Sequence, residues 1–157
     1  MISNMAHDRK SASRKSKSKS DDLHGNAPDR SPVAVLLVDV INDLNLPQNE
    51  QLVRNSFLLA KRITKLKRRC KRPGIPAIYI NNNRGKWRSE FPEVLNPCLR
   101  PDSLGRAMVK QLIPDWEDYV VLKPKHSPFY PTPLELLLEY IGVKTVILAG
   151  ITTNACA

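Results

Sequence analysis

Six consecutive apolar residues, Val33-Ala-Val-Leu-Leu-Val38, stop abruptly at Asp39. A strand with one wet face alternates apolar and polar side chains. This run is apolar on both faces, as the centre of a parallel sheet covered on both sides requires. Three more runs repeat the theme: Ala77-Ile-Tyr-Ile80, Tyr119-Val-Val-Leu122 and Thr145-Val-Ile-Leu-Ala149. Helical signals lie between them. Over residues 49–72, Val53, Phe57, Ala60, Ile63 and Leu66 recur every three or four positions and predict one buried stripe, closed by Pro73-Gly74. Residues 84–102, with Pro92, Pro97 and Pro101, read as an irregular excursion holding at most a short helical turn, and a modest helix follows near 103–112. Thr132-Pro-Leu-Glu135 predicts a helix start, with Thr132 as cap, Pro133 at the first helical position and Glu135 completing a capping box. Leu134, Leu137, Leu138 and Ile141 form the buried face of that helix, and Gly142 suits its exit.

Strands alternating with helices imply right-handed parallel crossovers. The expected fold is therefore α/β, a Rossmann-like doubly wound parallel sheet with flanking helices and strand order 3-2-1-4. At 157 residues the chain holds one domain rather than two. Residues 1–31, rich in Ser, Lys and Asp, carry too little apolar surface to offset the entropy of ordering them, and are expected to be a disordered basic tail. The folded domain is expected to occupy residues 32–157. No stretch approaches the roughly 20 apolar residues that a membrane-spanning helix needs, and no secretory core precedes the domain, so a soluble cytoplasmic protein is expected. Cys70, Cys98 and Cys156 are odd in number and unpaired in spacing, which argues against a disulfide framework or a zinc site.

The net charge of +10 is concentrated in two blocks, one in the tail and one of eight Lys/Arg within residues 61–72. Such blocks can attract nucleic acid or acidic surfaces, but charge runs are a low-specificity signal and a solvated tail and a solvated helix face are the favoured reading. Nucleic acid is the disfavoured partner, because the stripe assigns Phe57 to the core and leaves no interleaved aromatics to stack on bases.

Ligands of doubly wound sheets bind beyond the carboxyl ends of the strands. Three reactive side chains occupy those ends: Asp39 after the first strand, Lys123 after the third, and Cys156 just past the fourth. A thiol is a weak nucleophile until it loses its proton; a carboxylate can take that proton and an ammonium can stabilise the thiolate. Taken singly, each has a plainer explanation, as turn former, solvated cation or small buried hydrophobe.

Together with their neighbours, these residues resemble the isochorismatase-like cysteine hydrolases, a family that includes nicotinamidases and several linear-amide hydrolases. Val35-Leu-Leu-Val-Asp39-Val-Ile-Asn42-Asp43-Leu44 is similar to the family's opening strand. Leu112-Ile-Pro114, Asp118-Tyr-Val-Val-Leu-Lys123-Pro and Ser127-Pro-Phe129 are similar to its lysine-bearing segment, and Gly150-Ile-Thr-Thr-Asn-Ala-Cys156 to its nucleophile segment. The resemblance implies a triad in which Cys156 attacks, Asp39 accepts the proton and Lys123 stabilises charge. It implies a cis peptide at Ile151–Thr152 that aims the N–H groups of Thr152 and Cys156 at the substrate oxyanion, and it places Phe129 in contact with substrate. Where nicotinamidases carry an Asp/His metal cluster, this chain reads Asn81-Asn-Asn-Arg-Gly-Lys-Trp87, so no metal and no cofactor are expected. His126 is read as a polar residue near the site mouth. The expected activity is hydrolysis of a C–N bond in a small amide-type substrate.

The resemblance also implies a helix and further strands beyond Cys156. On that reading the chain is a C-terminally truncated member with an uncovered fourth strand and impaired catalysis. Two alternatives stay open: a non-catalytic remnant that associates with intact relatives, and a basic protein binding nucleic acid or acidic surfaces. No membrane partner is expected, and homo-oligomerisation is left open.

Overall fold

In a computed structural model, which describes residues 30–45, 50–83, 90–124 and 132–151, each apolar run is a strand. These are β1 (Val33–Val38), β2 (Ala77–Asn82), β3 (Tyr119–Lys123) and β4 (Thr145–Gly150). They pair in parallel in the order β3-β2-β1-β4. The register aligns Val38 with Ile80 on one side and Gly150 on the other, and it aligns Asn82 with Lys123. Helix α1 (Glu50–Lys71), helix α2 (Phe91–Cys98) and the short helix α3 (Arg106–Val109) cover one face of the sheet. Helix α4 (Leu134–Ile141) packs on the other.

The alternation of β1 explains both cores. Val35 and Leu37 point toward α1, joining Ala60, Ile63, Val94, Met108 and Tyr79. Ala34, Leu36 and Val38 point toward α4, joining Ile78, Ile80, Leu134 and Ile141. Fully burying such a Val or Leu side chain contributes about 1.5–3 kcal/mol. A strand feeding both layers is therefore the anchor of the domain. β4 lies at the edge of the described sheet, and its Val146 and Leu148, on the α4 side, are exposed.

Several expectations need correction. Phe57 does not lie in the buried stripe of α1; it is 47 % exposed, and the buried face is Ser56, Ala60, Ile63 and Cys70. The contact face is rotated past Phe57, because small Ser56 and Ala60 let the helix approach the sheet, while the Ser56 hydroxyl donates to the Val53 carbonyl. Within the segment expected to be irregular, residues 91–98 form α2. Pro92 lies in its first turn, where a missing N–H breaks no helical bond, and burial of Val94 and Cys98 holds the helix despite Pro97. The helix expected near 103–112 shrinks to four residues. At α4 the capping box does not form as expected: the Thr132 hydroxyl accepts the Leu134 N–H at 3.3 Å, but Pro133 is the boundary residue and no Glu135 bond back to it is seen. Gly142 does end α4, in the left-handed conformation at φ 83°.

Of the segment expected to be a tail, residues 1–29 lie outside the described residues. Ser31 belongs with the domain, since its N–H donates to the Ile141 carbonyl at 3.1 Å. Among the described residues no helix is long and apolar enough to cross a membrane.

Candidate active site

Asp39 follows the last residue of β1 and turns the chain sharply, with φ 52°. Aspartate tolerates this left-handed conformation better than most side chains. Its backbone N–H still donates to the Ile80 carbonyl at 2.8 Å, so the turn is fixed to β2 before the side chain departs. The carboxylate reaches across the end of β2. Oδ1 accepts the Asn82 N–H at 3.1 Å, and Oδ2 lies 2.9 Å from Nζ of Lys123.

Lys123 ends β3 and is fully buried. Its backbone is held from the same strand, the Asn83 N–H donating to the Lys123 carbonyl at 2.9 Å. β2 thus positions both members of the pair through consecutive backbone amides. Distance and angle give different accounts of the ion pair. The separation is that of a close salt bridge, yet Nζ has no hydrogen bond of good geometry. We take the contact as electrostatic attraction with poor directional alignment. A buried ammonium carries three donors and a large desolvation cost, which one misaligned carboxylate offsets only in part. Such a group is able to bind a further negative charge.

The turn after Asp39 is fastened independently. Asn81 Nδ2 donates to the Ile41 carbonyl at 2.8 Å, and the Gly105 N–H donates to the Asp43 carbonyl at 2.8 Å. A Cβ at position 105 would meet the Asn42 oxygen at 1.9 Å, so only glycine lets α3 approach this turn.

The end of β4 is drawn to the same place. A Cβ on Gly150 would come 2.3 Å from the Val38 carbonyl oxygen, and the Ile151 N–H donates to that oxygen at 3.1 Å. The chain therefore leaves β4 beside the residue preceding Asp39. Asp39, Lys123 and Ile151 are described; Thr152, Cys156, Phe129 and His126 lie outside the described residues, and the peptide at Ile151–Thr152 with them. The strand-end rule found Asp39 and Lys123. It did not find Asn82 or Gly105, for which the sequence signals were the Asn81-Asn-Asn83 run and an isolated glycine.

A second lysine–carboxylate cluster lies away from this edge. Lys67, expected as one solvated cation among eight, bonds Asp118, Asp115 (3.0 Å) and the Tyr79 hydroxyl (3.3 Å). Burial disfavours its charge, but the hydrogen bonds to Asp118 and Asp115 and the nearby negative charge outweigh that and hold its pKa above the ordinary lysine value. Burial pushes the Tyr79 hydroxyl up to about 12.

A family model described as the isochorismatase domain matches residues 33–157. The isochorismatase family protein YaaI of Bacillus subtilis is 32% identical over 123 residues, spanning 78% of this chain and 67% of the relative. The ureidoacrylate amidohydrolase RutB of Methylorubrum extorquens is 36% identical over 84 residues, 54% of this chain but only 34% of that enzyme. Among solved structures, N-carbamoylsarcosine amidase from Thermoplasma acidophilum superposes with a TM-score of 0.57 at 24% identity, over 80% of this chain and 71% of the other. That likeness establishes the shared fold.

Proposed function

The chain belongs to the isochorismatase family, a family of hydrolases, and we propose on that premise that it cleaves the C–N bond of a small linear amide or ureido compound with Asp39, Lys123 and Cys156. The observation that carries the reading is the buried Lys123 ammonium set 2.9 Å from the Asp39 carboxylate at the carboxyl edge of the sheet. The substrate class is supported by RutB, an amidohydrolase at 36% identity, although the match spans about a third of its length.

In the proposed reaction Asp39 takes the proton of the Cys156 thiol, and Lys123 stabilises the thiolate. The sulfur attacks the carbonyl carbon, and the π-bond electrons move to oxygen. The N–H groups of Thr152 and Cys156 receive that oxyanion, with Phe129 against the substrate. The intermediate collapses, the C–N bond breaks, and the leaving nitrogen takes the proton from Asp39. Water then attacks the thioester, giving its proton to Asp39. The carboxylic acid (carbamic acid for a ureido substrate) departs and the thiol is restored.

The test is ammonia or amine release from a panel of linear amides and ureido acids. It is run on the 157-residue chain and on a version extended with the portions of YaaI outside the match, which covers 67% of that relative. Turnover in either form that Cys156→Ala abolishes and chelators leave unchanged supports the reading. Turnover that survives Cys156→Ala, or two inert forms with a thiol no faster to alkylate than an ordinary cysteine, overturns it.

A further inference from the structure

The basic block of α1 separates into two populations. Lys67 and Lys71 are engaged by Asp115, Asp118 and Glu117. Lys61, Arg62, Lys65, Arg68, Arg69 and Arg72 are exposed, and no described carboxylate lies within ion-pair reach of them. A solvated helix face is steadied by alternating signs at i,i+4 spacing. Here Lys61/Lys65, Lys65/Arg69 and Arg68/Arg72 are like-charged pairs at that spacing, each mildly unfavourable until an anion neutralises it. Between α1 and the segment after α3, a groove of about 470 Å³ is lined by Lys61, Thr64, Lys65, Arg68, Arg69 and Gln111.

An aromatic ring stands at the N-terminal end of this row, and a second is exposed in the loop fastened to the C-terminal half of α1. Phe57 is 47 % exposed, with the Lys61 ammonium 4.6 Å from its ring centroid. At 100° per residue, Phe57, Lys61, Lys65, Arg68 and Arg72 fall within about 80° of arc. Trp116 is 92 % exposed. It sits between Asp115 and Glu117, whose bonds to Lys67 and Lys71 fasten its loop to the C-terminal half of α1. Phe57, assigned to the core in the sequence, is thus available at this surface.

We propose that this face of α1, with Trp116, binds single-stranded nucleic acid, the cations tracking phosphates and the indole stacking on a base. A duplex hides its bases from such a ring. A lipid surface takes up a helix by its apolar face, and that face of α1 is buried on the sheet through Ala60 and Ile63. The surface does not involve Asp39 or Lys123, so the proposal stands independently of the hydrolase reading.

The test uses the full chain with Trp87→Phe, which leaves Trp116 as the single tryptophan, titrated with a labelled oligothymidylate. Expected are quenching of Trp116 fluorescence and a log–log salt dependence with slope of about −3, for four or five phosphates. Trp116→Ala, at an exposed site where folding is not at stake, should weaken binding about tenfold. The double reversal Lys65→Glu/Arg68→Glu should weaken it more than the same reversal at Lys15 and Lys17 in the tail. Equal loss from the tail reversal, binding without quenching, or a preference for phosphatidylserine vesicles over the oligonucleotide would each overturn the proposal.

Discussion

Among the described residues two lysines are drawn out of solvent, and they are treated differently. Lys67, with its side chain 15% exposed, has a partner for each of its three N–H donors: two carboxylates and a phenol converge on its ammonium. Lys123, fully buried, has among the described residues one carboxylate and poor alignment with it. The first arrangement has the character of a staple, tying α1 to the loop before β3. The second leaves donor capacity unspent at the end of the sheet where ligands of this fold bind. On the proposed reaction, completeness of pairing, more than burial, separates a structural lysine from one placed for chemistry.

The sharpest way to break this comparison is at the carboxylates. Asp39→Asn keeps a residue that accepts the left-handed turn, yet turnover should fall about 10³-fold, as expected for loss of an acid–base group. Lys67→Met should leave kcat within about twofold. An amidase assay on both variants decides it, and equal losses would erase the distinction. The next effect is on stability. Asp39→Asn leaves the Lys123 ammonium buried without a counter-charge, at a cost of about 3 kcal/mol. Adding Lys123→Met should recover at least half of that in urea unfolding, and a double variant no more stable than the single would refute the account. Lys67→Met should cost less, about 1–2 kcal/mol, because Asp115 is half-exposed and solvent screens part of the cluster.

The smallest expected effect is an alkaline limb. Tyr79 titrates near 12 in the fold against an ordinary 10.0, so above pH 10 the unfolded chain loses its proton first and stability falls as pH rises toward 12. Lys67, held above 10.5, acts in the same direction: its contribution is complete below 10.5 and is lost above. Thermal midpoints at pH 9 and 11 should therefore converge partly in Tyr79→Phe. An undiminished alkaline limb in that variant would remove Tyr79 from the explanation.

The strands were readable because apolar runs leave few options, and Asp39 and Lys123 were readable because they end two of them. Burial was not. Val33–Val38 and Thr145–Gly150 look alike in sequence, yet the first is covered on both faces and the second shows Val146 and Leu148 to solvent, since covering depends on neighbours rather than on the run itself. The contact of Lys123 with Asp39 needed the register that sets Asn82 beside Lys123. Lys67 was hidden among like residues, its partners lying 48 and 51 positions away. Helix α2 was obscured because Pro92 and Pro97 speak locally, while Val94 and Cys98 answer to the core.

The register of β1 with β4 also sets a schedule. Val33 pairs with Thr145, more than a hundred positions later. At a synthesis rate of about 5–20 residues per second, the first strand waits on the order of 5–20 seconds on the ribosome before that neighbour exists. β2 arrives much sooner and can occupy one edge, with α1 over one face. The other edge, and the α4 face that Ala34, Leu36 and Val38 present, stay open through the interval. The strand that anchors the finished domain is thus the nascent chain's longest-lived hazard, and the segment on which a ribosome-bound chaperone has most time to act.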